Sequence, residues 1–451
     1  MTDPTYTGKG GGPTPFVNAF TNNTIGSFRY NTSQAGSPIP ICYGTQRVTI
    51  NLIEFWGFTG SSGGKGGKGG GGSTGGGKKG QQQYAVDVAM AICQGPVAYT
   101  GSIYGTSSGN RVWSNGGIAA GVGAVGLNGY GGSDGQAPDA VFASSDPNQP
   151  VIGYSGTAYT TGTPMQLGSS PAMPNVSFEV TGFCAGTVGS AFPNDARPDL
   201  IVTDLLTNAR YGAGFPAANL DGAAIADWGA YCQAAGLGMS LLLDRQQPAA
   251  RWLEEVTDLT VSAVVWSGNT LRIIPYGDQA LLGNGARWTP DLTWEYSLDD
   301  DDFLPWGQGG DGGSDPVLLT RSDPAQATNW LSLEYMDAGN SYNPQIIAVF
   351  DQGMIDQYGL RTEPSIQAHE FTNANIATVS AQLQLQRRIY IRNTYQFKLG
   401  WRYCLLEPMD IVLITDTALG LDAAPVRITE IAEDENGELT VTAEEIPGVT
   451  P

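Results

Sequence analysis

The sequence predicts an α+β, β-rich fold with more than one domain. The chain has 451 residues, and a single hydrophobic core rarely extends that far, so several domains are expected. Apolar and polar residues alternate towards both ends of the chain, as in half-buried strands, whereas the middle carries apolar residues at helical spacing. We therefore expect a first β-rich domain over residues 1–195, a small α/β module over 196–280, and a spacer with a second β-rich domain over 281–451.

The first domain is predicted to contain a long hairpin around a Gly/Lys-rich segment. A run of β-branched and aromatic residues at 48–58 and an alternating run at 84–93 flank residues 60–80, GSSGGKGGKGGGGSTGGGKKG. The lysines of this segment are not followed by Ser or Thr in the frame of a phosphate-binding loop, and its glycines bury no apolar surface. Partner docking through local positive charge and a plain spacer both stay open; the lysines are Lys65, Lys68, Lys78 and Lys79.

The remainder of the first domain is rich in Gly, Ser, Thr, Ala and Pro. This composition predicts a β-domain with long surface loops and a possible insertion at residues 117–150. Short strand-like runs are expected within it at 151–159 and 175–180.

Three helices and a hairpin are predicted in the α/β module. Asp221 can cap a helix that ends at Gly236, because glycine readily adopts the left-handed conformation that closes a helix. Gly212 is expected to end an earlier helix in the same way, and Pro248 to occupy the first position of a later one. The predicted ranges are 200–206, 222–235 and 249–259 for the helices, and 261–266 and 270–275 for strands turning at 267–269.

The second β-rich domain is predicted to follow a Gly-, Asp- and Pro-rich spacer at about 277–315. A helix is expected over 374–391, and beyond Asn393 every second residue is apolar, which indicates a strand. The Glu-Asn-Gly-Glu sequence at 435–438 predicts a type I′ hairpin turn. The other predicted strands cover 317–320, 329–337, 345–350, 426–431 and 439–446.

Four segments, in the same order along the chain, carry a resemblance to a known family. They are SPIPICYG at 37–44, PNVSFEV at 174–180, DLLTNARYG at 204–212 and the turn EPMD at 407–410. These motifs resemble those of the hub proteins at the tail tip or baseplate of tailed bacteriophages and gene transfer agents, including the central tail-tip protein of lambda-like phages.

The resemblance implies a homotrimer in which two tube-forming β-domains per subunit flank the α/β module and assemble as a trimeric ring on the hexameric tail tube. The role implied is to cap the tube, organise the tail tip and gate DNA ejection. The implied partners are the distal tail protein, the tape-measure protein, and tail fibre or other tip proteins. Phage DNA is an implied partner only while it moves through the tail tube, and possible contact with the host envelope is implied during entry. The implied location is the virion tail tip, with the host cytoplasm during assembly.

Charge and cysteine usage narrow the possible functions. The formal net charge is −21, which disfavours a surface that binds nucleic-acid phosphates. The N-terminus has no signal-peptide pattern, and no apolar run is long enough to span a bilayer, so a soluble protein is expected. The cysteines lack metal-site spacing and are predicted to be core residues of a protein made in a reducing compartment; they are Cys42, Cys93, Cys184, Cys232 and Cys404.

The sequence offers little for catalysis, and we predict a non-enzymatic protein with no catalytic residues, no cofactor and no metal ligands. His369 is the chain's one histidine, and neither a G-x-S-x-G nor an H-E-x-x-H motif is present. The acidic run at 299–302 is expected to be a solvated loop, with calcium binding left open. A tail-associated peptidoglycan hydrolase using two carboxylates, or a receptor- or glycan-binding module, is the alternative function.

Large aromatic residues surround the acidic run within the expected spacer. Trp294, Phe303 and Trp306 lie where burial inside one domain is least assured, so they are candidate partner contacts. Packing of the same side chains against their own domain is the competing interpretation.

Overall fold

A computed structural model describes residues 23–25, 28–30, 38–62, 82–97, 111–114, 117–119, 127–140, 152–306 and 315–447. The chain divides into two compact units, one of residues 1–185 with 240–246 and the other of 186–239 with 247–451. The α+β, β-rich class is confirmed. The three-part division expected from the sequence stays a prediction.

The first unit consists mainly of β-strands. They are β1 Asn23–Ile25, β2 Phe28–Tyr30, β3 Ile41–Cys42, β4 Thr45–Thr49, β5 Asn51–Ser62, β6 Gln82–Gln94, β7 Val112–Ser114, β8 Gly117–Ala119, β9 Leu127–Tyr130, β10 Thr157–Gly168, β11 Val176–Thr181 and β12 Leu242–Leu243. The main sheets have the orders β5-β6-β10-β9 and β4-β11-β7-β8. Their shared core is formed by alternating apolar residues, including Val48, Val86, Val88, Met90, Met165, Val176 and Phe178.

The long hairpin predicted in the first unit is confirmed. β5 and β6 pair antiparallel from Asn51 opposite Ala91 to Ser62 opposite Gln82. The Gly/Lys-rich residues 63–81, with all four candidate lysines, lie outside the described residues. Of the possible insertion at 117–150, residues 117–119 and 127–140 are described, as β8 paired with β7 and as β9 paired with β10 followed by a loop.

The second unit contains the helices and the remaining strands. Its helices are α1 Pro198–Thr207, α2 Gly222–Ala235, α3 Ala249–Leu259, α4 Gln352–Tyr358 and α5 Ala374–Tyr390. Its strands are β13 Ser262–Ser267, β14 Thr270–Pro275, β15 Leu281–Gly283, β16 Ala286–Trp288, β17 Trp294–Leu298, β18 Phe303–Leu304, β19 Leu318–Arg321, β20 Trp330–Asp337, β21 Asn343–Phe350, β22 Ile366–Gln367, β23 Asn393–Leu399, β24 Ile411–Asp416, β25 Leu421–Glu433 and β26 Leu439–Glu445.

The capping signals of α2 act as predicted. The Asp221 carboxylate accepts hydrogen bonds from two N–H groups of the first turn, and Gly236 closes the helix at φ 77°. Two neighbouring expectations are wrong. α1 ends at Thr207, because Asn208 turns to an extended conformation, and Gly212 is not left-handed. Pro248 precedes α3 as its cap and does not occupy the first helical position.

The largest sheet of the second unit has the order β17-β24-β25-β26-β23-β18, and β19 also pairs with β23. Its two outer strands, β17 and β18, are joined only by the turn at 299–302. Such a short turn reaches about 18 Å, whereas six strands laid flat would hold their outer members about 24 Å apart. The sheet therefore curves into a partly closed barrel, with Leu298 and Phe303 from its two ends in one core.

The spacer predicted at 277–315 is in large part ordered structure. It contains the β15–β16 hairpin and both outer strands of the barrel. These strands are two to five residues long, which is too short for an alternating pattern to show in the sequence.

The predicted hairpins around β13–β14 and β25–β26 are confirmed, but the second turn differs from the type expected. Gly268 and Asn269 join β13 to β14. In the β25–β26 turn Gly437 has φ 75°, whereas Asn436 keeps a negative φ. A type I′ turn needs positive φ at both central residues. Asp434 instead accepts the N–H of Gly437 through its carbonyl, and its carboxylate accepts the N–H of Asn436, which stabilises a longer loop.

Helix α5 packs on the three-stranded sheet β21-β20-β22 and is tied to the barrel by charged side chains. Arg387 on α5 donates two hydrogen bonds to Glu444 on β26, at 3.0 and 3.1 Å, and its guanidinium lies 3.7 Å from the centre of the Tyr276 ring. Arg427, directly opposite Glu444 on β25, donates to the Tyr276 carbonyl at 2.9 Å. Glu444 thus faces two cations within a largely buried cluster.

Candidate interaction surface at the barrel end

One end of the barrel carries an exposed apolar loop on a buried anchor. The loop at 400–406 follows β23, and its Tyr403 and Leu406 side chains belong to the barrel core. Trp401 before the first anchor, and Cys404 and Leu405 between the two anchors, are exposed to solvent. We call the loop at 400–406 and the turns at 299–302 and 434–438 the barrel-end surface.

The turn at 299–302 is the acidic run noted in the sequence, and its carboxylates organise the backbone. Asp302 accepts the N–H of Asp299 at 3.1 Å, and Asp299 accepts the N–H of Asp301 at 3.1 Å. Asp302 also accepts the hydroxyl of Tyr403 and lies 3.4 Å from the Arg402 guanidinium. These contacts hold the acidic turn against the exposed loop. Burial and the Asp302 hydrogen bond raise the pKa of Tyr403 to about 12, so its hydroxyl stays protonated.

The turn at 434–438 completes the surface. The ring of Trp401 lies within 3.7 Å of the position that a Cβ would take on Gly437. Lys398 pairs with Glu438 at 3.0 Å and lies 5.6 Å from the centre of the Trp306 ring. The barrel end therefore brings together three turns that are distant in the sequence.

The predicted aromatic contacts fall into different environments. Phe303 is a core residue, 5.4 Å from the Phe397 ring centre, so little of its side chain is left for a partner. Trp306 is half-buried and donates to the Pro316 carbonyl at 2.8 Å. Trp294 is exposed at the start of β17. A partner role for Trp294 and Trp306 stays a prediction. Trp401, which no pattern in the sequence marks as a candidate, is an exposed tryptophan at the barrel end.

A buried carboxyl lies beside the acidic turn. Asp416, at the end of β24, is 1% exposed and accepts the N–H of Leu419 at 2.8 Å. Burial, a hydrogen bond with the Asp315 carboxyl, and the nearby Asp300 raise the pKa of Asp416. Folding therefore favours the protonated form of this group.

We expect the variant Asp416→Asn to be more stable than the wild type at pH 8. Because the folded-state pKa of Asp416 is raised, its stabilising contribution is present below the unfolded pKa of about 4 and is lost as pH rises through the folded value. The advantage of the variant should shrink to nothing near pH 4, measured by chemical unfolding at each pH. Asp422→Asn, an exposed neighbour, is the control. A constant difference between wild type and Asp416→Asn across pH would contradict this assignment.

A separate cleft of about 410 Å³ in the second unit also gathers carboxylates. Asp221 caps α2, and Asp227 accepts the indole N–H of Trp288 at 2.8 Å. Asp410 accepts the N–H of Glu407 at 2.8 Å, and burial raises the pKa of its carboxyl. Asp221, Asp227 and Asp410 thus each have a structural role, and Glu295, which also lines the cleft, is close enough to Asp410 to contribute to its raised pKa.

The histidine and the possible metal ligands of the described residues are further candidate chemical groups. His369 is exposed, and its Nε2 lies 2.8 Å from Glu334. Within the described ranges, no group of three or more His, Cys, Asp or Glu side chains could hold a metal ion. No helix in the described part of the chain is long and apolar enough to cross a membrane.

The cysteines are thiols in three kinds of environment. Cys42, Cys93 and Cys232 are buried, as the sequence predicts, and burial raises the pKa of Cys42 to about 12. Cys184 is half-buried and Cys404 is exposed at the barrel end, so these two are not core residues.

Comparison with known proteins gives one family match and several structural likenesses. Residues 248–431 match a family model described as "Putative phage tail protein". The fold is similar to that of a chain from the virion of a native gene transfer agent particle, with a TM-score of 0.58 and 18% identity over 96% of this chain and 90% of that one. No protein of curated function matches the chain.

Two bacterial tail proteins align over most of their length at lower similarity. They are the tail protein of Neisseria meningitidis MC58, with a TM-score of 0.34 and 10% identity over 91% of this chain and 100% of that one, and the 43 kDa tail protein of prophage MuSo2 from Shewanella oneidensis, with a TM-score of 0.30 and 14% identity over 90% and 100%. With TM-scores below 0.5, these two do not establish a shared fold.

Proposed function

We propose that this chain is a homotrimeric tail-tip or baseplate hub. The family match and the fold together support a structural protein of a phage tail in the virion. As a hub it caps the tail tube, organises the distal tail, tape-measure and fibre proteins around it, and opens for DNA ejection. The function is mechanical, and its energy comes from buried surface between subunits and from a change between closed and open states.

The observation that carries the proposal is the extent of the shared fold. The likeness to the gene transfer agent virion chain covers 96% of this chain and 90% of that one, so it includes both compact units. The four sequence motifs that resemble hub proteins also fall in both units.

An exposed strand edge supports assembly with other subunits. Strand β21 lies at the edge of the sheet β21-β20-β22. On the face of this strand that points away from α5, Ile346 is 63% exposed, and Phe350 stacks on Trp330 with the ring centres 4.9 Å apart. An apolar edge strand is a site for pairing with another chain, and native proteins usually cover it.

Negative charge fits a conduit through which DNA passes without binding. The formal net charge of −21 at pH 7 makes phosphate binding through released counterions unfavourable. Solubility is a simpler explanation of the same charge, so the charge agrees with the proposal without carrying it.

Deletion of the gene from a phage that encodes this chain tests the proposal. We expect particles without complete, infectious tails in electron micrographs, and recovery of both properties when the intact chain is supplied from a plasmid. The expected defect is structural, because the chain is proposed to complete the tip on which other proteins assemble. Infectious particles with complete tails in the deletion strain would refute the hub role.

Peptidoglycan hydrolysis is the alternative that the carboxylate cleft allows, since Asp410 has the raised pKa that a general acid needs. We expect no clearing of cell-wall substrate by the purified chain, because the proposed role is mechanical and two acids of the cleft, Asp221 and Asp227, are engaged in a helix cap and a side-chain hydrogen bond. Clearing that is abolished in Asp410→Asn while assembly persists would establish the enzymatic alternative.

A further inference from the structure

We propose that the barrel-end surface binds a basic segment of a different polypeptide, with an apolar side chain of that segment seated against Trp401 and Leu405. The proposal rests on the assignment to a phage tail and is independent of the trimeric hub role. Three properties of the surface carry it: exposed apolar side chains, a rigid support beneath them, and a strongly negative surround.

The apolar centre consists of two large side chains that are exposed to solvent. Trp401 is 56% exposed and Leu405 is 78% exposed, and they lie within one short loop. Tryptophan in particular is enriched among the residues that dominate binding energy at protein interfaces. A neighbouring exposed Arg402 adds the other residue type typical of such centres.

The support beneath this centre is fixed by buried contacts. Tyr403 is 2% exposed, meets the Tyr296 ring edge-on at 5.1 Å between ring centres, and donates its hydroxyl to Asp302. Leu406 lies in the barrel core. A loop held in this way loses little conformational freedom when a partner binds, so more of the contact energy appears as affinity.

The surround of the apolar centre is acidic. The turns at 299–302 and 434–438 contribute carboxylates, whereas Arg402 of this surface and the adjoining Lys398 each pair with one of them. The carboxylates are Asp299, Asp300, Asp301, Asp302, Asp434, Glu435 and Glu438. An excess of negative charge around an apolar centre attracts a partner with Lys or Arg beside an apolar residue and repels acidic partners.

The same charge argument excludes other occupants. A second copy of this chain would bring a formal net charge of −21 and an identical acidic surface to the contact. Nucleic acid and anionic membrane surfaces would be repelled as well. The chemistry of the surface therefore favours a basic polypeptide segment.

Binding of the full-length chain to short overlapping peptides from the other polypeptides of the same phage tail tests the proposal. We expect the bound peptides to combine Lys or Arg with an apolar residue and to dissociate as salt is raised. The double variant Trp401→Ser/Leu405→Ser should weaken binding at least about tenfold, as loss of a binding hot spot does. Asp299→Asn/Asp300→Asn/Asp301→Asn should weaken it less and reduce its salt dependence.

A matched control separates this surface from general stickiness. Trp266→Ser/Leu282→Ser removes a tryptophan of the same 56% exposure and a leucine of 85% exposure elsewhere in the second unit, and should leave binding unchanged. All variants should keep the circular dichroism of the wild type, because every altered side chain is exposed and an Asn at 299 keeps an oxygen that can accept the N–H of Asp301.

Several results would overturn the proposal. They are the absence of any bound peptide, bound peptides without positive charge, and equal loss of binding in the control variant. Self-association that is lost in Trp401→Ser/Leu405→Ser would identify a second copy as the occupant and would overturn it too. None of these results depends on the electron micrographs that test the hub role.

Discussion

Replacing Glu444 by Gln is expected to lower the free energy of unfolding of the second unit by about 3 kcal/mol, because removing one partner of a buried ion pair leaves its charge uncompensated. The carboxylate of Glu444 accepts two hydrogen bonds from Arg387 and lies directly opposite Arg427 on the next strand. Arg427 is 4% exposed, and burial lowers its pKa, which shows how poorly solvated this cation is. Without Glu444, two guanidinium groups would face each other across the junction of α5 and the barrel.

Chemical unfolding followed by far-UV circular dichroism measures this loss. Glu430→Gln is the matched control, since Glu430 lies on the neighbouring strand β25 with its side chain exposed. We expect the control to change stability by less than about 0.5 kcal/mol. Equal stability of the Glu444 and Glu430 variants would contradict the role assigned to the cluster.

Gly182→Ala is expected to destabilise the first unit by about 3 kcal/mol or to prevent its folding, because inserted atoms in a closely packed site force the backbone apart. A Cβ at this position would lie against the carbonyl oxygen of Cys42 and 2.6 Å from its carbonyl carbon. That carbonyl accepts the N–H of Phe183 at 2.8 Å, and the N–H of Gly182 itself donates to Gly44 at 2.7 Å. The clash is with backbone, so no side-chain rotation can relieve it.

Gly400→Ala provides the comparison. It lies in ordinary φ space, and a Cβ there would meet no atom within 4 Å. We expect its thermal unfolding to match the wild type, whereas Gly182→Ala should unfold at a lower temperature or accumulate in inclusion bodies. Wild-type stability of Gly182→Ala would show that β3 and the segment after β11 do not approach as closely as described.

Local signals in the sequence predicted local structure well. The cap at Asp221, the closing Gly236 and the hairpin at Gly268 are each determined by residues within a few positions of one another. The alternation beyond Asn393 likewise predicted β23, because a strand with one face in a core must place an apolar residue at every second position. The predicted range of α5 differs from the observed one by one residue.

Features that depend on distant residues were not predictable in this way. The parallel pairing of β17 with β24 joins residues more than a hundred positions apart, and no pattern within a five-residue strand announces it. Because this pairing makes β17 an outer strand and the short turn at 299–302 joins it to the other outer strand, the sheet closes into a barrel. Part of the apparent spacer at 277–315 therefore belongs to a core. The turn after Glu433 shows a smaller failure, since Asn-Gly favours a type I′ turn but Asp434 bonds stabilise a longer loop.

The candidate surface was foreseen in part. The sequence drew attention to aromatic residues around the acidic run, and Trp306 does lie at the barrel end. Phe303 proved to be a core residue, because its short strand closes the barrel. Trp401 is not predictable from the sequence, because the loop that exposes it continues the strand pattern and only the fold places it beside the turns at 299–302 and 434–438.

The central claim, that this chain works as a trimeric hub in a phage tail, is tested most directly by the mass of the purified protein with and without the other tail components. We expect the intact chain to assemble with those components into a complex that contains three copies of it. A chain that stays monomeric and binds none of the tail proteins would contradict the claim.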